Sequence, residues 1–224
     1  TLFRSDEYNN SYALNFKAGF IPIPVTEPMG KVEAGISIFS KFKVNESKRI
    51  QLPIPFKWPI SMLNLKRCLL VDRIKIDGSD KELVLVNLHL EAYDDGEGKA
   101  KQLAILMDLL ESEYQKGNYV IAGGDFNQTF SSVDLTKYPK VSDWVCQVIE
   151  VNDYEDFTFV MDDTYPTCRL LNMPYKDADK EHHQYYMLDG FIVSNNINIK
   201  SFETINLEFK NADHNPVVMT FNFK

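Results

Sequence analysis

The sequence predicts one α/β domain in which strands outnumber helices. Three observations carry this. Strand-like apolar runs recur along the chain, at 32–39 (VEAGISIF), 66–76 (KRCLLVDRIKI), 82–90 (ELVLVNLHL), 119–124 (YVIAGG), 186–194 (YMLDGFIVS) and 216–223 (PVVMTFNF). One long segment among them, 97–116, sets Leu103, Leu106, Leu109 and Leu110 at helical spacing against a polar face. The length of 224 residues, with 44% hydrophobic and 25% charged residues, supports a core that needs no disulfide or metal staple.

Each element has its local reason. Residues 1–30 read as irregular, because the prolines of IPIPV (21–25) and EPMG (27–30) block helix and confine strands to edges. Residues 50–60, IQLPIPFKWPI, read as a loop. The turn residues DGSD at 77–80 join the runs 66–76 and 82–90 into a hairpin. Gly117 and Asn118 stop the helix that follows. Residues 128–185 read mainly as loop, with a short helix around 141–148. No repeat, low-complexity tract or linker divides the chain, so a single domain over 1–224 is expected.

Bulk properties exclude several classes. The net charge is −8 and the pI about 5.1, with no Lys/Arg run, which argues against non-specific polyanion binding. The three cysteines, Cys68, Cys146 and Cys168, are too few and too widely spaced for a disulfide framework or zinc knuckle. No apolar stretch is long enough to span a membrane as a helix. The first residues, TLFRSDEYNN, are polar and show no signal peptide; localisation is left open, and a monomer is expected.

Four short stretches carry chemistry. In VIAGGDFN (120–127), strand alternation would aim Asp125 and Asn127 the same way at a strand end. An acid beside an amide suits a hard cation and a phosphate oxygen; the bland alternative is a strand followed by an Asx turn. In NLHL (87–90), Asn87 and His89 share one face of an apolar strand and need partners or an open end. In MLDGFIVS (187–194), Asp189 interrupts an apolar strand and needs a cation such as a protonated histidine or a metal, the bland alternative being an edge-strand Asp that faces solvent. In ADHNPV (212–217), Asp213 and His214 precede the last strand, where a histidine can exchange protons near neutral pH. His182 and His183 read as solvated loop. Asp94, Asp95 and Glu97 read as a solvated turn capping the helix that follows, without the spacing of a calcium loop.

The order of the four stretches, N-x-H, G-D-x-N, an Asp within a strand, then D-H before the last strand, resembles the endonuclease/exonuclease/phosphatase superfamily, the DNase I-like group. The resemblance runs from about residue 32 to the C-terminus. It implies a sandwich of two mixed β-sheets flanked by helices. It also implies a divalent-metal-dependent phosphoesterase that hydrolyses a phosphodiester or phosphomonoester by metal-activated water, with Mg²⁺ or Mn²⁺ as cofactor. The substrate is a phosphate ester: nucleic acid, lipid or small phosphate.

By resemblance, Asp125 is the acid that activates water and touches the metal. Asn127 holds the phosphate, and His214 stabilises or protonates the phosphoryl oxygen. Asp189 orients His214, and Asp213 is a metal ligand. His89 is a second histidine with Glu33 as its partner, and Arg67 contacts phosphate. The group's early Asn and its Gln-Glu block, whose Glu is a principal metal ligand, are not found, and the chain is expected to lack an N-terminal portion. The alternative reading is a catalytically inactive fragment or pseudoenzyme serving as a binding module. Convergence of the polar residues separates the two readings.

Overall fold

The computed structural model describes residues 7–94, 96–138, 140–171 and 183–224. The chain forms two compact units, residues 1–120 and 121–224.

The first unit opens with a long antiparallel hairpin, β1 (Asn9–Ile21) and β2 (Gly30–Ser40). Within the segment expected to be irregular, 1–30, residues 9–21 therefore form a strand. The prolines explain how. Pro22, Pro24 and Pro28 all fall between the two strands, where they end β1 without removing any of its hydrogen bonds. The inward positions of β1 are Ser11, Ala13 and Asn15, all buried. Their small and polar side chains hid the strand from a reading based on apolar alternation.

Three further antiparallel strands follow in order: β3 (Glu46–Gln51), β4 (Cys68–Lys75) and β5 (Glu82–His89). A short helix, α1 (Ile60–Leu63), interrupts the loop between β3 and β4. The expected hairpin across DGSD is present, with Ile74 opposite Leu83 and Leu69 opposite Leu88. β4 is buried on both faces. Cys68 and Leu70 pack with Ala13, Ile36 and Ile38 of the first hairpin. From the other face Arg73 reaches Glu113 of α2 (Glu97–Gln115), Nη2 to Oε1 at 2.6 Å. The expected cap of this helix is present but not solvated: the buried carboxylate of Asp94 accepts the N–H groups of Gly96 and Lys99. Asp95 lies outside the described residues.

β6 (Tyr119–Asp125) carries the chain into the second unit. There it pairs antiparallel with β12 (Asp189–Ser194), which pairs in turn with β9 (Phe157–Val160). Close approach explains the glycines of this ladder. A Cβ on Gly123 would stand 2.7 Å from the Phe191 ring, and one on Gly190 would stand 2.5 Å from the Val160 carbonyl oxygen. Smaller pairings complete the unit: parallel β7 (Gln128–Phe130) with β8 (Gln147–Ile149), and antiparallel β10 (Cys168–Arg169) with β11 (Tyr185–Tyr186). The last antiparallel pair is β13 (Ile197–Thr204) with β14 (Val217–Phe223).

No helix forms at 141–148; its last residues enter β8 instead, with Cys146 and Ile149 buried. β13 gave no sequence signal because only its end residues Ile197 and Thr204 are buried. His183 is not solvated: it is fully buried, and its Nε2 lies 2.9 Å from the Leu170 carbonyl oxygen. His182 lies outside the described residues. Among those described, no helix is long and apolar enough to cross a membrane.

Candidate active site

Four of the side chains singled out in the sequence meet in the second unit. Asp125 ends β6 and Asp189 begins β12, and the ladder register makes them directly opposite neighbours. Asn127 lies beyond the strand end, at φ +49°, a left-handed conformation that Asn tolerates. Its backbone N–H donates to Asp125 Oδ1 at 2.8 Å and its side-chain amide to Oδ2 at 3.2 Å. Acid and amide thus meet through an Asx turn, not through strand alternation; the turn reading and the site reading describe the same residues. Phe126, between them, is fully buried and packs edge-on against Phe130, ring centres 5.1 Å apart. It anchors the turn, beside a half-buried Asp125 and a buried Asn127.

His214 enters from the segment before β14. Its Nδ1 stands 2.7 Å from Asp189 Oδ2, a charge-assisted hydrogen bond. Its Nε2 stands 3.9 Å from Asp125 Oδ2, too far for a hydrogen bond, so this N–H can serve a third atom. The backbone of His214 bridges to Cys168 of β10, which holds the imidazole beside a buried thiol. Burial opposes charge on His214, but the hydrogen bond that it donates to Asp189 outweighs it, and its pKa is pushed up to about 12. The histidine is an imidazolium at neutral pH. Burial, in turn, pushes the Cys168 thiol above its ordinary value, so it stays protonated.

An imidazolium held by one carboxylate and facing another, which an amide holds in turn, is chemistry for an anionic oxygen. Asp213 contributes its backbone: its carbonyl accepts the Arg169 N–H at 3.0 Å.

No protein-family model matches this chain, and no curated protein does. Solved structures do. An endonuclease/exonuclease/phosphatase from Beutenbergia cavernae DSM 12333 superimposes with TM-score 0.62 at 15% identity, over 98% of this chain and 55% of that one. TDP2 from D. rerio, complexed with single-strand DNA product, gives 0.61 at 17% identity, over 98% and 78%. The human Nocturnin catalytic domain, with a bound sulfate anion, gives 0.59 at 16%, over 97% and 73%.

The chain has the endonuclease/exonuclease/phosphatase, DNase I-like fold. It spans just over half the length of the first of these structures.

The remaining sequence candidates for this fold's site belong to the first unit. Glu33 on β2 is exposed and stands 3.7 Å from Lys17 of β1, its register partner. His89 ends β5 and is half-buried; Asn87, two residues before it, donates to the Ser37 carbonyl oxygen at 2.9 Å. Arg67 is buried against Glu91, Nε to Oε2 at 3.7 Å, a core pairing and not an open phosphate contact. The resemblance gave no warning of this, because Glu91 lies outside the four motif stretches.

The divalent cation that the sequence resemblance implies would need about six oxygen donors. Among the described residues no group of three or more His, Cys, Asp or Glu side chains is gathered to hold a metal. Asp189 is engaged by His214, and both oxygens of Asp125 already accept from Asn127. These residues do not by themselves fit a divalent ion.

Proposed function

We propose that this chain belongs to a phosphoric ester hydrolase acting on a phosphodiester or phosphomonoester. The observation that carries the reading is the His214–Asp189 pair, 2.7 Å apart, facing an Asp125 that accepts both N–H donors of Asn127. The ester's phosphoryl oxygen would meet the Nε2–H of His214 and the Asn127 amide. Asp125, 3.9 Å away across that gap, would orient the attacking water and take up its proton. A histidine with a pKa pushed up to about 12 is a poor proton donor near pH 7, so His214 acts chiefly by neutralising charge that grows on the phosphoryl oxygens.

The Mg²⁺ or Mn²⁺ implied by the resemblance would require donors beyond those gathered here, and no step is written through it. Nucleic acid is one candidate substrate: a DNA product is bound in the D. rerio TDP2 structure. The acidic balance of this chain favours a short or small ester over a long polyanion.

The test is hydrolysis of bis-p-nitrophenyl phosphate and p-nitrophenyl phosphate with Mg²⁺, with Mn²⁺ and with EDTA. Wild type is set against Asp125→Asn and His214→Ala. Hydrolysis that falls by about 10²- to 10⁴-fold in both variants is expected; equal rates in all three proteins would overturn the reading.

A further inference from the structure

Thr167 was not singled out by any motif, yet its backbone and side chain hold both halves of the imidazolium pair. It is fully buried, just before β10. Its hydroxyl oxygen accepts two consecutive backbone N–H groups, from Leu188 at 2.9 Å and from Asp189 at 3.1 Å. Its own N–H donates to the Tyr186 carbonyl oxygen at 3.0 Å, and its carbonyl accepts the Asn215 N–H at 2.8 Å. One residue therefore fixes the backbone of Asp189 on one side and that of the residue after His214 on the other. The Leu188 carbonyl also accepts the N–H of Phe126 at 2.9 Å, the residue between Asp125 and Asn127. A shift at Leu188–Asp189 would thus reach all four side chains of the site.

We propose that Thr167 is a positioning residue for the Asp189–His214 pair, working through the backbone and never touching substrate. The chemistry of the hydroxyl explains the choice of residue. Two lone pairs on one oxygen receive two N–H groups that point the same way as the chain enters β12. Valine has the same shape and no acceptor, so it would leave both buried N–H groups unsatisfied and let the strand start drift. Serine keeps the acceptor. Cysteine is close to serine in shape but is a weak acceptor. Geometry in such a site matters at the scale of an ångström. The catalytic part of this inference rests on the phosphoesterase reading; the structural part does not.

The experiment combines two readouts on wild type, Thr167→Val, Thr167→Ser, Thr167→Cys and a control, Ser194→Ala. Ser194 is a fully buried hydroxyl at the far end of β12, bonded to Asn196 Oδ1 at 2.6 Å and remote from the pair. The first readout is the low-field Nδ1–H proton of His214, in protein labelled with ¹⁵N-histidine and assigned by its loss in His214→Gln. The second is kcat and KM for the p-nitrophenyl ester. Wild type and Thr167→Ser are expected to keep the resonance. Thr167→Val and Thr167→Cys are expected to lose it or move it upfield, with kcat lower by about 10- to 100-fold and KM little changed. Ser194→Ala is expected to lower stability while moving neither readout.

The proposal is overturned if Thr167→Val or Thr167→Cys keeps the wild-type resonance, or if Ser194→Ala disturbs it equally. Should Thr167→Val fail to fold, the Ser and Cys variants decide alone. Absence of hydrolysis in every protein would sink the phosphoesterase reading, while the resonance would still decide the role of Thr167.

Discussion

Asp125 and Asp189 are cross-strand partners, facing each other from β6 and β12. Like charges in that relation repel, and both side chains are only 14% exposed. His214, against both at 2.7 and 3.9 Å, supplies the missing positive charge. Removing it should leave two carboxylates uncompensated. His214→Ala is expected to lose about 1–2 kcal/mol in urea unfolding, less than a fully buried pair would lose because the imidazole is partly exposed. Adding Asp125→Asn to that variant should recover part of the loss. A double-mutant cycle showing no coupling between the two positions would contradict the compensation.

The same pair sets a pH dependence. The pKa of His214 rises from 6.5 to about 12 on folding, so its contribution is fully present below 6.5 and is lost as pH climbs toward 12. The stability difference between wild type and His214→Gln should therefore shrink steadily from pH 7 to pH 10. A difference that stays constant over that range would show that the histidine is neutral in the folded protein.

What the sequence made legible follows from what each signal depends on. Asp189, alone in an apolar strand, was readable as needing a cation, and His214 meets it; that argument rests only on the cost of burying charge. The hairpin over DGSD and the helix ending at Gln115 were readable because their signals are local. β1 was missed because its inward positions are Ser11, Ala13 and Asn15, which lack the apolar alternation of a strand until Cys68 and Leu70 pack beside them. The burial of Arg67 against Glu91 had no local signal, because Glu91 is 24 residues away in sequence and beside it only after folding. Thr167 had no signal at all: its role lies in hydrogen bonds to backbone groups more than 20 residues distant.

The glycines of the β6–β12–β9 ladder make a steric prediction. Gly190→Ala would put its Cβ against a carbonyl oxygen of the neighbouring strand, at 2.5 Å, and backbone in a paired strand cannot move aside cheaply. A loss of about 2–4 kcal/mol is expected. Gly19→Ala on β1 meets nothing within 4 Å and should stay within about 0.5 kcal/mol of wild type. Thermal unfolding of the two variants side by side checks this, and equal midpoints would count against the close packing of β9 on β12.

Glu113 ties the α2 helix to the β3–β4–β5 sheet and should control the acid limit of the first unit. Burial alone would raise its pKa. Hydrogen bonds from Arg73, Lys116 and Asn118 reverse that and lower it from 4.5 to about 2. Its folded value lies below the unfolded one, so the contribution is complete above pH 4.5 and disappears as pH falls toward 2. A depression of this size corresponds to about 3 kcal/mol. Glu113→Gln should therefore be clearly less stable than wild type at pH 7 and nearly indistinguishable from it near pH 2. The carboxylate has three donors and glutamine can accept through one oxygen only, leaving Arg73 to depend on Glu82, 3.0 Å away. Arg73→Lys should reproduce part of the same loss, since an ammonium cannot span Glu82 and Glu113 as the guanidinium fork does. Urea midpoints measured at pH 7, 4 and 2.5 for the three proteins would test both statements. A gap that stays constant with pH would mean that Glu113 stabilises the fold by packing, and not by its charge.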